Sequence, residues 1–374
     1  MSLKVPKNPL EILTPILTSH PTPQALQHLH DLCDELLASD ETFSVTFSKI
    51  PCPEGKNHLF TLKPHYWEIE PGKWEYRDGQ RNPYCDLLGG QKQLEAMSRA
   101  VHTLSLGAVY LGAKDNEWQE RCLTRIEHVL NVFFVDEDTQ MTPEVWYAQC
   151  QPGENPARGN YAFVIAVRNI LLVSQSLPLV QHKLSDTLVT QIKDWFKAQT
   201  EWMETSEQGK AVRAMNNHHT TWYHAVLASH LTCIDKKKGV SHANQFFHQE
   251  IKDHPDPFTF NQYSLGRARP RHSTLFALEP IFIMAALTYS SELEKPSKKI
   301  FNYLTDLVNW AKTVEPGDIE RPLEEQGRFE AKLGWFERML KRWSGEEVAT
   351  IDPQGENLWE EGWKKRMKVT WGFL

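Results

Sequence analysis

Three short segments concentrate side chains that can grip a carboxylate, polarise it and move a proton. The first is Met215-Asn216-Asn217-His218-His219-Thr220-Thr221-Trp222-Tyr223-His224. Asparagine is a favoured helix N-cap, and an apolar pattern begins just after it, so the spacing predicts a helix start here. His218 or His219 then falls in the first turn. The positive end of the helix dipole disfavours an imidazolium there and keeps a neutral imidazole available as a base. The free backbone N–H groups of that turn attract a carboxylate. The plainer reading is a capped helix whose histidines are surface or satisfied core residues.

The second segment is Arg267-Ala268-Arg269-Pro270-Arg271-His272-Ser273. Pro270 biases Arg269 toward an extended backbone, and residues i and i+2 of an extended segment share one side. Arg267 and Arg269 then project together as a clamp for a carboxylate or phosphate. The plainer reading is a solvated basic loop balancing nearby acids. The third segment is Trp146-Tyr147-Ala148-Gln149, followed by Gln151-Pro152-Gly153 and Asn155-Pro156-Ala157-Arg158-Gly159-Asn160. Aromatic, amide and guanidinium groups on a Gly/Pro loop suit a polyhydroxylated ligand. A tyrosine with a shifted pKa serves as general acid or base. Taken singly, Trp146 reads as packing.

The elements that must position these segments read as helices. Leu94, Met97, Val101, Leu104, Ala108 and Leu111 step by three and four, which is one face of a long amphipathic helix. Leu123, Ile126, Leu130 and Phe133 repeat the step, as do Val189, Ile192 and Phe196. The segments 221–233, 275–289 and 300–310 have the same character. The stretch from Phe43 to Glu75 lacks it. Rich in proline and aromatics, that stretch reads as an irregular, aromatic-rich excursion, near residues 43–85, over one end of the body. No linker or composition shift divides the chain, so residues 1–374 read as one all-α domain, an α/α toroid or a solenoid-like stack.

Composition narrows the function. The chain has 374 residues, a formal net charge of -7 and 13 tryptophans. The charge argues against a general nucleic-acid binder and a basic membrane-surface protein. The aromatic content argues against disorder. No apolar run approaches the roughly 18–20 residues of a membrane span. Pro6, Pro9, Pro15 and Pro21 break the N-terminal apolar stretch, which does not read as a secretory signal. Six scattered cysteines read as reduced thiols, so the expected location is the cytoplasm. GxGxxG, Walker, GxSxG and HExxH patterns are all missing, and His218, His219 and His224 lack the usual metal spacing. Neither a cofactor nor a metal is expected.

Taken in order, the segments resemble the alginate-lyase superfamily of helical polysaccharide lyases. Pro64-His65-Tyr66-Trp67 and Tyr76-Arg77-Asp78-Gly79-Gln80-Arg81-Asn82-Pro83 resemble its PYWWP and RRDGxxNP blocks. Trp146 to Gln149 resembles NYAQ, Asn216 to Tyr223 resembles NNHGTWY, and Arg267 to Ser273 resembles RTRPxHY. The resemblance implies an incomplete (α/α) toroid and β-elimination on a uronic-acid polymer such as alginate or glucuronan, or on a related oligosaccharide or carboxylated small molecule. In that chemistry, cationic and amide donors neutralise the carboxylate as an enolate-like state forms. A base removes the C5 proton and an acid protonates the departing C4 oxygen.

The resemblance casts Asn217 and Arg267 as the carboxylate holders and His218 or His219 as neutraliser or base. The gapless match through Trp222 and Tyr223 favours His219. Trp67, Trp146 and Trp222 are expected near the sugar cleft, with Tyr84, Gln149, Asn216 and Tyr223. Arg158, Arg269 and Arg271 are expected to supply its positive potential. The family's catalytic tyrosine falls on Ser273, a much weaker acid. Tyr147, Tyr84 or Tyr223 would replace it, or His219 and His272 would share both tasks. The alternatives are an inactive glycan-binding or scaffold toroid, or an α/α-toroid glycoside hydrolase. Oligomeric state is left open.

Overall fold

The computed structural model describes residues 23–113, 115–153, 158–254, 256, 262–288, 296–320 and 323–345. Its helices are α1 (Pro23–Ala38), α2 (Tyr84–Leu87), α3 (Gly90–Tyr110), α4 (Asn116–Phe134), α5 (Phe163–Val167), α6 (Leu171–Val180), α7 (Asp186–Thr205) and α8 (Glu207–Arg213). They continue as α9 (His218–Ile234), α10 (Lys236–Asp253), α11 (Pro270–Leu287), α12 (Lys298–Ala311) and α13 (Leu323–Ser344). Helices α3, α6, α9 and α11 pack each against the next, forming an inner arc. Outside it, α1 and α4 lie on α3, α7 bridges α4 and α9, α10 covers α9 and α11, and α12 and α13 cover α11. This is the all-α, incomplete toroid of paired helices that the helical periodicities and the family resemblance lead one to expect.

The position of a helix in this arrangement explains its sequence. Outer helices have one dry face, so α4, α7 and α12 carry clear apolar stripes. Inner α6, α9 and α11 have neighbours on every side, so their periodicity fades, whereas inner α3 keeps the stripe from Leu94 to Ala108. The helical run Phe163–Lys183, which contains α5 and α6, is long and apolar enough to cross a membrane, yet 78% of its apolar window is buried in the protein. Helix α10 hides for the opposite reason. Its buried stripe of Gly239, Ala243, Phe246, Phe247 and Glu250 has helical spacing, but its apolar bulk is confined to Phe246 and Phe247. One hydrophobic cluster runs from Leu29 in α1 to Trp343 in α13.

The excursion before α2 is more ordered than its sequence suggests. It holds an antiparallel hairpin of β1 (Tyr66–Glu70) and β2 (Lys73–Tyr76), with Tyr66 opposite Tyr76 and Trp67 opposite Glu75. Backbone bonds tie it to the loop before α5. Thr61 N–H donates to Tyr147 O (3.1 Å), Cys150 N–H to Thr61 O (2.8 Å) and Lys63 N–H to Cys150 O (3.0 Å). The hairpin strand edges and this loop are thereby held beside the first turns of α9 and α11.

Candidate active site

A cavity of about 550 Å³ opens where these elements meet. The N-terminal ends of α9 and α11 line it with His218, His219, Arg269, His272, Ser273 and Phe276. Tyr161, Ile165 and Arg168 line it from the α5 side, and Lys63, Tyr66, Tyr76, Asp78 and Arg81 from the excursion. Five of the lining residues are Lys or Arg and one is acidic. An acidic chain thus concentrates positive potential in one concave place, which attracts anions.

Asn217 caps α9 from an extended backbone. Its Oδ1 accepts the His219 backbone N–H at 2.9 Å and lies 2.9 Å from His219 Nδ1. An atom that accepts a backbone N–H is the amide oxygen, so His219 Nδ1 must carry a proton. The lone pair of the neutral ring is then on Nε2. Burial, with Arg267 and Lys63 nearby, pulls the His219 pKa down to about 4. The neighbouring His218 ring stacks on it at 4.2 Å. Burial, then His219, Arg267 and His272, hold His218 well below the usual imidazole range. His219 is therefore a neutral imidazole with an assigned tautomer. That is what a base requires.

Pro270 opens α11, and Arg269 precedes it with φ -126° and ψ 74°, outside the helical region, and its side chain does not cap the helix. Glu320, buried to 3% exposure, does the capping instead. Its carboxylate accepts the N–H groups of Arg271 (3.1 Å), His272 (2.8 Å) and Gly317 (3.1 Å). The His272 side chain keeps an open face although protein encloses it on other sides. That enclosure, then Lys332, Arg269, Arg168 and Arg267, lowers its pKa to about 3. Arg267 Nε donates to Asp78 Oδ1 and Oδ2 at 2.8 and 3.1 Å, and Nη2 also donates to Oδ1. Its Nη1 donates to the Tyr263 hydroxyl at 3.3 Å. Burial alone would raise the Asp78 carboxyl, but Arg267, the Ala268 N–H and the Tyr76 hydroxyl outweigh it and hold it well below the usual range.

Several residues singled out in the sequence meet in this cavity: His218, His219, Gln149, Arg267, Arg269, His272 and Ser273. Gln149 is the one non-glycine with positive φ (59°) among the described residues, a conformation held by its backbone N–H bond to Thr61 Oγ1 at 2.7 Å. Others go elsewhere. Asn216 and Asn217 border a second cavity of about 320 Å³ with His224 and His242. Trp222 and Tyr223 are core residues, with the indole N–H donating to Phe276 O and the phenol to Met203 O. Arg271 donates to Val314 O and lies over Phe329. Trp146 packs edge-on to Trp202 and Tyr147 edge-on to His58. Trp67 lies under the Arg77 guanidinium, and Tyr84 and Arg158 are exposed. None of these ten lines the cavity among its described residues.

The structure adds residues that were not singled out, above all Tyr263, Tyr161, Tyr76, Asp78, Arg168 and Lys63. Asp78 and Tyr76 lie in a matched block, which was the available signal. Tyr263 stands four residues before Arg267, one helical turn away, with no motif of its own. Among the described residues no group of three or more His, Cys, Asp or Glu is placed to hold a metal ion.

Residues 44–295 match the model of the alginate lyase family, about two thirds of the chain. This chain belongs to the alginate lyase family. The family is one of polysaccharide lyases, so its substrates are anionic polysaccharides. The fold is also that of a crystal structure of an alginate lyase from Bacteroides ovatus, with a TM-score of 0.68 and 22% identity over 87% of this chain and 90% of that one. Alginate lyase A1-III from Sphingomonas species A1 aligns over 88% of this chain and 92% of its own, with a TM-score of 0.39 and 13% identity. No curated protein sequence matches.

Proposed function

We propose that this alginate lyase family member cleaves a uronate-containing polysaccharide or oligosaccharide by β-elimination. The observation that carries the reading is a neutral His219, its Nε2 lone pair free, in a cation-lined cavity that also holds the Arg267–Tyr263 pair. The substrate carboxylate lies against Arg267 and Arg269, whose charges stabilise the enolate-like state as the C5 proton leaves. His219 Nε2 takes that proton. The C5 electron pair becomes the C4=C5 double bond, the C4–O bond breaks, and the Tyr263 hydroxyl protonates the departing oxygen. Solvent then returns the proton from His219 to Tyr263. Tyr263 thus takes the acid role that Ser273 cannot, in place of Tyr147, Tyr84 or Tyr223. Asn217 serves by fixing the His219 tautomer. The cavity volume suits a few sugar units.

The test is an ultraviolet assay for the unsaturated product on alginate blocks, glucuronan and their oligomers, with products checked by mass. His219→Ala and Tyr263→Phe should each lower kcat by about 10²–10⁴-fold, the usual worth of a positioned acid or base, with unchanged circular dichroism. A wild type that yields no unsaturated product from any uronate sinks the elimination reading. Full activity in Tyr263→Phe sinks the assignment of the acid.

A further inference from the structure

We infer that Asp78 is a positioning residue, holding one edge of the Arg267 guanidinium so that the other edge faces the substrate carboxylate. A guanidinium offers two edges to a carboxylate, Nε with one Nη, and the two Nη together. Asp78 takes the first through Nε and Nη2. Its Oδ2 also accepts the Ala268 N–H at 2.7 Å, which anchors the backbone that carries Arg267. Nη1 is left on the side of Tyr263, whose hydroxyl it reaches at 3.3 Å. Tyr76 donates to Asp78 Oδ1 at 3.0 Å, so β2 is joined to the same carboxylate. The next residue, Gly79, has φ +71, and a Cβ there would meet Ile319 Cδ1 at 2.7 Å and Arg269 Cγ at 3.2 Å. The turn after β2 is therefore seated directly on both arginines. One carboxylate from the excursion sets the plane of a guanidinium 189 residues away.

The inference rests on the lyase reading for its kinetic part, while its binding part stands apart from turnover. Binding of a mannuronate trimer is measured by calorimetry in a His219→Ala background, so that the probe is not consumed. Asp78→Asn should weaken the trimer at least tenfold, and Asp78→Glu should recover part of that loss. Alone, in the wild-type background, Asp78→Asn should raise KM at least tenfold and also lower kcat. Hydrogen exchange of residues 66–76 reports whether Asp78 merely clips the hairpin. Faster exchange with unchanged affinity for the trimer overturns the inference, as does absence of trimer binding to the parent. Intact binding without turnover in wild type, weakened by Asp78→Asn, supports the inference while refuting the lyase reading.

Discussion

The deprotonation of His219 predicts an activity that persists well into acid. An ordinary histidine titrates near 6.5, and burial with Arg267 and Lys63 brings this one to about 4. At pH 5 a group with pKa near 4 is about 90% neutral, whereas one near 6.5 is about 3% neutral. The supply of base at pH 5 thus differs by about thirtyfold between the two cases. The assay is kcat/KM for the unsaturated product from pH 3.5 to 8, paired with an NMR titration of the His219 imidazole in the uncut protein. The acid limb should have its midpoint near 4 in both. Lys63→Met removes one of the two cations that repel a proton from His219, so both midpoints should move upward together. An acid limb at 6.5 that coincides with the His219 titration refutes the reasoning. A Lys63→Met variant that leaves both midpoints in place refutes the electrostatic part.

Two further predictions concern stability. His230 is fully buried, its Nε2 is 2.8 Å from Gln199 Oε1, and burial lowers its pKa to about 3. The unfolded chain therefore binds the extra proton below about 6.5, so this contribution is complete above that pH and is lost as pH falls toward 3. Between pH 7 and 5 His230 should cost about 2 kcal/mol, and urea titrations of His230→Leu should show a pH dependence smaller by that amount; an equal dependence would show that the residue protonates freely in place. Gly79→Ala should destabilise by about 1–3 kcal/mol, because φ is +71 and the added methyl meets Ile319. Thermal unfolding measures it, and adding Ile319→Ala should recover the steric part but not the backbone part.

What the sequence made legible follows from the range of each interaction. The start of α9 was readable because an N-cap is local chemistry: Asn217 bonds a group two residues away. Arg267 and Arg269 do reach one cavity, and Pro270 keeps its predecessor out of the helix, but Arg269 has ψ 74° and not the extended backbone expected of it. The outer helices were readable because one-sided burial writes a period. Inner α6 lost that period by being buried all round, and in α10 only Phe246 and Phe247 are large apolar residues on the buried stripe. The Asp78–Arg267 pair spans 189 residues and no spacing rule reaches that far. Trp222 and Tyr223 sit in the same block as His219, yet on a helix successive residues face different ways. Their faces point into the core. Composition set the expectation of a locally positive cleft, but not that Lys63, Arg81 and Arg168 would help supply it.

The Glu320 cap has a consequence for how the cavity responds to its medium. A helix N-terminus facing an anion site ordinarily lends it a fixed backbone field, indifferent to mutation. In α11 that field is already answered by Glu320, whose carboxylate occupies the N–H groups of Arg271 and His272. On the α11 side the pull on an anion therefore comes from side chains such as Arg267 and Arg269 and not from the helix end. Such a pull is screened by ordinary salt and can be adjusted one lysine or arginine at a time while the helix that carries the site stays capped.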